Sequence, residues 1–320
     1  METAGCLLTT SDFMPARPPL IRTWLQLFRA PNLLTVPGDP LSGYLLACFF
    51  GAIEKQVWPV MAASFCFYAG GLLLNDLVDL REDRIERPDR PLPSGAISVP
   101  VVMAVMAGLF GEGLLLSWRI DRSTLATGGA LLLAITAYNC FTKHLPVLGA
   151  LNMGACRGLS MLLGATAVPH GDLTFSLLAR GRLNHLLIAI GLTSFYIAAV
   201  TNLARHETRI EIPRSAKWLP VVVIAGGAAL FLAQLNTTAL ICSAPLLLVA
   251  LVSALQVAIH LTRNVSSPVP PEIGKLIRLL LLIQAAFCAA VGGFEGLLAA
   301  VVLLLLWPVS GLVGRRFYAS

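Results

Sequence analysis

The stretch NDLVDLREDRIERPDRPLPSG, Asn75 to Gly95, follows directly on an apolar run from Trp58 to Leu74 and crowds carboxylates and arginines into one patch. Asp76, Asp79 and Asp83 are spaced three and four apart, so on a helix they fall within roughly 60° of one another and form one stripe. Carboxylates held that close repel unless a cation sits among them. Oxygen ligands with room for water suit Mg²⁺, which binds one or two carboxylates together with substrate phosphates. Asn75 adds a neutral oxygen one position upstream. Arg84, Arg87 and Arg90 then follow in a proline-punctuated loop. Proline ends the helix, so these guanidiniums can turn back over the stripe and pair bidentately with phosphate oxygens. The residues point to a magnesium diphosphate site, against the plainer alternative of a solvated loop with incidental charges.

The surroundings of this patch are those of a membrane protein. The 320 residues are 57% hydrophobic and 12% charged, with a mean hydropathy of +0.79. A soluble globule carries about 25% charged residues. Ten apolar segments lie near residues 33–53, 58–80, 99–118, 124–141, 147–168, 185–203, 219–235, 239–261, 276–291 and 297–313. Each approaches the ~20 residues that cross a hydrocarbon core. The last two meet at Gly292-Gly293-Phe294-Glu295-Gly296, which reads either as a tight hairpin or as a kink. The cysteines form no CxxC pair, so neither a disulfide framework nor a zinc site is indicated. Net charge is +6, but the basic residues are dispersed among interhelical loops, which argues against a nucleic-acid partner and for the lipid bilayer.

Those basic residues also orient the chain. With ten spans and the N terminus inside, only Lys55, Arg119, Arg122, Arg180 and Arg182 fall outside, and Arg157 lies within a span. The remaining lysines and arginines are inside, as the positive-inside rule requires. This puts the aspartate stripe on the cytoplasmic side of the cell (inner) membrane. No cleaved signal is read in residues 1–24. These form an N-terminal cytoplasmic segment, and residues 25–320 form a single transmembrane domain.

The pattern Asn75, Asp76, Asp79, Asp83, Arg87-Pro88, Arg90-Pro91, Pro93-Ser94-Gly95 closely resembles the first aspartate-rich motif of the UbiA superfamily of intramembrane prenyltransferases. Its tail, RPDRPLPSG, looks most like the branch containing chlorophyll synthases and archaeal lipid-ether synthases. The resemblance implies an all-α, polytopic membrane helical bundle with nine to ten transmembrane helices around a central cavity. It also implies Mg²⁺-assisted departure of diphosphate from a polyprenyl diphosphate, followed by attack of an aromatic or lipid acceptor on the allylic cation. Asp76, Asp79 and Asp83 with Asn75 would hold the metal, and Arg87 and Arg90 the diphosphate. Tyr138, Asn139 and Lys143 end the fourth span beside the motif, where UbiA-like enzymes place a Tyr and a Lys, and Lys143 is expected to bind diphosphate.

Other polar residues within apolar segments need a partner or a cavity. Arg157 in the fifth span is expected to line the cavity and bind diphosphate, with a structural ion pair as the alternative. Asp39, in Pro37-Gly38-Asp39-Pro40, is read as facing the cavity or the interface. Asn32, Asn152, Tyr196 and Asn202 complete the candidate substrate contacts. The sixth span departs from the family, because Thr201, Arg205 and Arg209 stand where a second aspartate motif would. Arg205 can neutralise the leaving diphosphate in place of a second metal. Glu207 lies about 200° from it on a continued helix. The alternative to an enzyme is a non-catalytic isoprenoid or lipid-diphosphate binder in a secondary-metabolite pathway. An ion-coupled transporter fits less well, since the charges cluster at the cytoplasmic end rather than the midplane.

Overall fold

A computed structural model of the protein describes residues 20–48, 55–168, 183–207, 212–264 and 268–317. Those residues form helices and connecting turns, with no strand among them. In chain order the helices are α1 (Leu20–Leu27), α2 (Ala30–Leu33), α3 (Gly38–Ala47), α4 (Val57–Val78), α5 (Leu80–Glu86), α6 (Val99–Ile120) and α7 (Arg122–Cys140). There follow α8 (Pro146–Thr166), α9 (Leu183–Ala204), α10 (Arg214–Leu232), α11 (Thr237–Arg263), α12 (Val269–Arg278), α13 (Leu280–Val291) and α14 (Gly293–Phe317). Among the described residues eight helical stretches are long and apolar enough to cross a bilayer, counting α12 and α13 as one. The chain is an integral, multi-pass membrane protein.

The ten segments read from hydropathy each become helix, with two qualifications. α7 is a 19-residue helix whose threonines, glycines and asparagine dilute its hydropathy. The first segment is broken, because a turn over residues 34–37 divides α2 from α3 where Pro37 removes an amide donor. A break at membrane depth is tolerated only where protein covers the backbone. Here every residue of α3 is buried.

α3 and α13 form the centre, and α13 is buried from Leu280 to Ala289. α8 crosses α3 with no side chain between them: a Cβ on Gly43 would strike the Met161 carbonyl, and one on Gly164 the Pro40 carbonyl. Around this centre α4, α6 and α7 pack together on one side, and α9, α10 and α11 on the other. The question at residues 292–296 resolves as a hairpin. Gly292 and Gly293 both adopt positive φ, 73° and 68°, and α14 packs back along α13. α1 is amphipathic, with Trp24 stacked on Phe28 at 5.5 Å between ring centres and Leu20 and Ile21 exposed.

Candidate functional site

Most of the charges of residues 75–95 line a cavity of about 890 Å³ enclosed by α2, α4, α7, α8, α9 and α12; Arg84, expected to turn back over the aspartates, is outside the lining, as are Arg81 and Asp89. Asp76 is on the last turn of α4, Asp79 at the junction where α4 gives way to α5, and Asp83 on α5. The stripe survives that break because helical bonding runs through it: the Asp79 amide donates to the Asn75 carbonyl at 2.9 Å, and the Asp83 amide to the Asp79 carbonyl at 2.8 Å. Asn75, Asp76, Asp79, Asp83, Arg87 and Arg90 all face the cavity.

Each aspartate meets a cation from a different element. Arg29 Nη2, between α1 and α2, lies 3.4 Å from Asp76. Lys143, on the 3₁₀ turn Thr142–His144, pairs with Asp79. Arg90 Nη1 donates to both oxygens of Asp83, at 3.0 and 2.8 Å. Carboxylates and cations are thus interleaved at this end of the cavity, which keeps its net charge low. Asn75 and the three aspartates are all hard oxygen donors on one wall, the ligand type Mg²⁺ takes. Among the described residues no three acidic, histidine or cysteine side chains are gathered closely enough to hold an ion by themselves. The three aspartates share a wall without being gathered round one point.

Several other expectations meet the structure differently. Tyr138, Asn139 and Asn32 line the cavity as expected, and the Oδ1 atoms of Asn32 and Asn139 are buried there without a hydrogen-bond donor. Tyr196 does not line it; this tyrosine is fully buried and donates to the Leu276 carbonyl at 2.7 Å, fastening α9 to α12. Asn152 donates to Thr142 Oγ1 at 2.9 Å and so braces the turn bearing Lys143. Asn202 is likewise outside the lining, and its carbonyl partners His206 Nδ1 at 2.8 Å. Asp39 faces neither cavity nor interface. It is wholly buried behind the wall, paired with Arg157 at 3.0 Å and receiving a bond from Gln284 Nε2 at 2.6 Å. Arg157 does line the cavity, but it is not the ion-pair partner of Asp76, Asp79 or Asp83.

Arg205 departs most from expectation. α9 ends at Ala204, and the Arg205 guanidinium donates to the carbonyls of Leu145 at 2.6 Å and of Lys143 and His144 at 3.3 Å. It clamps the turn that carries Lys143 instead of reaching the diphosphate end, and it is absent from the cavity lining. Arg209 lies outside the described residues. Beyond Ala204 the bonding tightens to i→i+3, with the amides of His206 and Glu207 donating to Leu203 and Ala204 at 3.0 and 3.1 Å. The 100° count per residue no longer applies there. Glu207 therefore turns into the cavity, 3.9 Å from Arg87. Sequence reasoning missed Glu207, Arg29 and Gln284, of which only Glu207 carried a local signal: a carboxylate just past an apolar run.

Residues 33–264 match the model of the UbiA prenyltransferase family. Among curated proteins, digeranylgeranylglyceryl phosphate synthase of Methanothrix thermoacetophila is 30% identical over 155 residues, covering 48% of this chain and 57% of that protein. The synthase of Sulfolobus acidocaldarius is 30% identical over 129 residues, covering 40% and 46%. The chain spans about half the length of these curated relatives. Among solved structures, a UbiA homolog from Aeropyrum pernix K1 superposes with a TM-score of 0.64 at 18% identity, over 80% of this chain and 96% of that one. A UbiA homolog from Archaeoglobus fulgidus bound to GPP and Mg²⁺ gives 0.61 at 13% identity, over 84% and 99%. At such identities the likeness is one of fold. Motif, helical architecture and the matched span of more than two hundred residues agree, and the chain belongs to the UbiA prenyltransferase family.

Proposed function

We propose that the protein is an intramembrane prenyltransferase that moves a polyprenyl group from a prenyl diphosphate to an aromatic or lipid acceptor, with Mg²⁺ as cofactor. The observation that carries this reading is the gathering of Asp76, Asp79 and Asp83 with Arg29 and Arg90 at one end of a large, otherwise mostly apolar cavity, with Lys143, itself outside the lining, paired to Asp79. An apolar tail and a polyanionic head need that combination of surfaces. The relatives' names support a lipid acceptor, and the GPP and Mg²⁺ of the Archaeoglobus homolog support the donor and the metal.

Asn75 with one or two of Asp76, Asp79 and Asp83 would hold Mg²⁺ together with the diphosphate, and the ion when bound neutralises charge on that leaving group. Arg87, Arg90 and Lys143 bind diphosphate oxygens, and Lys143 and Arg90 are free to do so once their carboxylates turn to the metal. The bond between C1 of the prenyl group and the bridging oxygen breaks with its electron pair going to diphosphate. The apolar walls keep water from the allylic cation. The acceptor then forms its bond to C1 and gives up a proton to the released diphosphate. Residues 25–320 constitute this unit, with residues 1–24 preceding it in the cytoplasm and the aspartates on the cytoplasmic side of the cell membrane.

A second reading, a non-catalytic binder of isoprenoid or lipid diphosphates, is favoured by one observation: Arg205, in the stretch of the second motif, is turned away from the cavity. The test uses purified protein with radiolabelled geranylgeranyl diphosphate and Mg²⁺, following diphosphate release across aromatic and lipid acceptors. Release that Asp79→Ala lowers by about 10²- to 10³-fold supports transfer. Mg²⁺-dependent retention of a non-cleavable thiolodiphosphate without any release would favour the binder.

A further inference from the structure

The cavity has a second polar region that the diphosphate reading does not use. Thr35, Ser64, Tyr68, Arg157 and Ser160 line it, from three different stretches of chain. Arg157 Nη2 donates to Thr35 Oγ1 at 2.8 Å, its guanidinium stands 5.7 Å from the Tyr68 ring centre, and Ser64 and Ser160 share a hydrogen bond of 2.6 Å. Tyr68 precedes Asp76 by just over two turns of α4, which sets this floor about 12 Å below the carboxylates along the helix. Thr35 likewise follows Arg29, the partner of Asp76.

A prenyl tail offers these groups no hydrogen bond. A buried arginine at this depth needs a partner or a cavity, and Arg157 has both. Between the diphosphate and the floor there is room for the acceptor, whose nucleophilic atom must lie near C1 and whose other end would then meet Arg157.

The charge balance restricts what that end can be. Arg157 is already neutralised by Asp39 at 3.0 Å, and Asp39 is anchored behind the wall by Gln284. A carboxylate or phosphate placed on the floor would leave it with one excess negative charge in a low-dielectric setting. A hydroxyl or carbonyl would not. It can accept from the guanidinium and exchange bonds with the serine pair.

Resting on the prenyltransferase reading, the geometry points to an acceptor subsite formed by Arg157, Thr35, Tyr68, Ser64 and Ser160, with Asp39 as its charge-setting residue, that takes an uncharged, oxygen-bearing group. The experiment uses two pairs of probes matched except for charge: 4-hydroxybenzyl alcohol against 4-hydroxybenzoate, and 1-O-octylglycerol against its phosphate. Binding to the full-length protein is measured by equilibrium dialysis with Mg²⁺ and geranylgeranyl thiolodiphosphate present. In at least one pair the neutral member should bind tenfold or more tightly than the anionic one, and the pair that responds identifies an aromatic or a glycerol-type acceptor. Asp39→Asn should shift that ratio at least tenfold towards the anion. Asp39→Asn/Arg157→Gln, which leaves no buried charge unpaired, should abolish affinity for the neutral probe.

Equal or tighter binding of the anionic members to the wild type, or no binding of either pair, overturns the subsite; this comparison needs no variant to fold. A preference that Asp39→Asn leaves unmoved arises from partition into the apolar cavity and overturns it too. Diphosphate release, measured separately, decides the transfer reaction. Neutral-probe binding without release would keep the subsite and remove the reaction.

Discussion

Arg205 is where a single side chain changes the account of the site. Its three bonds go to successive backbone carbonyls of the turn that presents Lys143, and Lys143 pairs with Asp79. It positions a diphosphate ligand without touching the diphosphate. Arg205→Ala should cost about 1–2 kcal/mol of stability, the range for partly exposed bonds from a charged donor. It should weaken binding of the thiolodiphosphate about tenfold, whereas Arg205→Lys, which retains one donor, should recover part of that loss. Equal thermal shifts for both variants with unchanged analogue binding would show that the arginine is merely structural. Arg205→Asp sets a carboxylate against carbonyl oxygens and is expected to be the most damaging of the three. At this scale the sequence was legible where spacing is local. The i, i+3, i+7 aspartates could be read without a fold, and they do line one wall. Glu207 could not, because its direction depends on α9 stopping at Ala204, and helix ends are decided by packing as much as by residue type.

Among the elements, the glycines separate contacts that matter from those that only look alike. The sequence offers adjacent pairs at Gly70-Gly71, Gly128-Gly129 and Gly226-Gly227, all suited to close helix packing. The structure uses both of the first pair, against Phe110 and Ile135, and one of each other: a Cβ on Gly128 would meet Ser117 and Phe67, and one on Gly227 would meet Leu192, while Gly129 and Gly226 face open space. Gly43 and Gly164 are more demanding, since what they approach is backbone. Gly43→Ala or Gly164→Ala should destabilise by about 1–3 kcal/mol, read as a drop in the melting temperature of detergent-solubilised protein. Gly129→Ala and Gly226→Ala should be neutral or stabilise by up to about 1 kcal/mol through helix propensity alone. Hydropathy marked the helices but could not tell which face of each meets a neighbour. The hydrophobic stripe that identifies a buried face in water is lost when the solvent is lipid.

On the scale of the whole molecule, orientation and the central polar network are set by different kinds of information. Orientation follows from the distribution of lysine and arginine. α6 separates the loop ending at Ser94-Gly95 from Asp121, and both Ser94 and Asp121 are exposed. Ser94→Cys should label from the cytoplasmic side with a membrane-impermeant maleimide and Asp121→Cys from the opposite side; the reverse pattern would invert the topology. The buried network, by contrast, links Thr35 to Arg157 and to Gln284 across 122 and 249 residues of sequence, and Asp39 joins both partners. No local pattern announces such a set. Asp39 and Arg157 could each be recognised as needing a partner, and the fold shows that they find each other.

The hairpin at Gly292-Gly293 bears on how the protein is made. Gln284 on α13 completes the coordination of Asp39, and Ile273, Ile277 and Leu280 close the cavity, yet all four lie beyond residue 264, where the family match ends. A ribosome adding roughly 5–20 residues per second delivers Arg157 to the bilayer on the order of ten seconds before Gln284. During that interval the nascent chain holds a charged pair whose carboxylate lacks its last donor, at a helix break that α13 has yet to cover. An insertion intermediate of this kind is what membrane chaperones and quality-control proteases recognise. Substitutions in α13 are therefore expected to lower the amount of protein that reaches the membrane before they alter anything it does there.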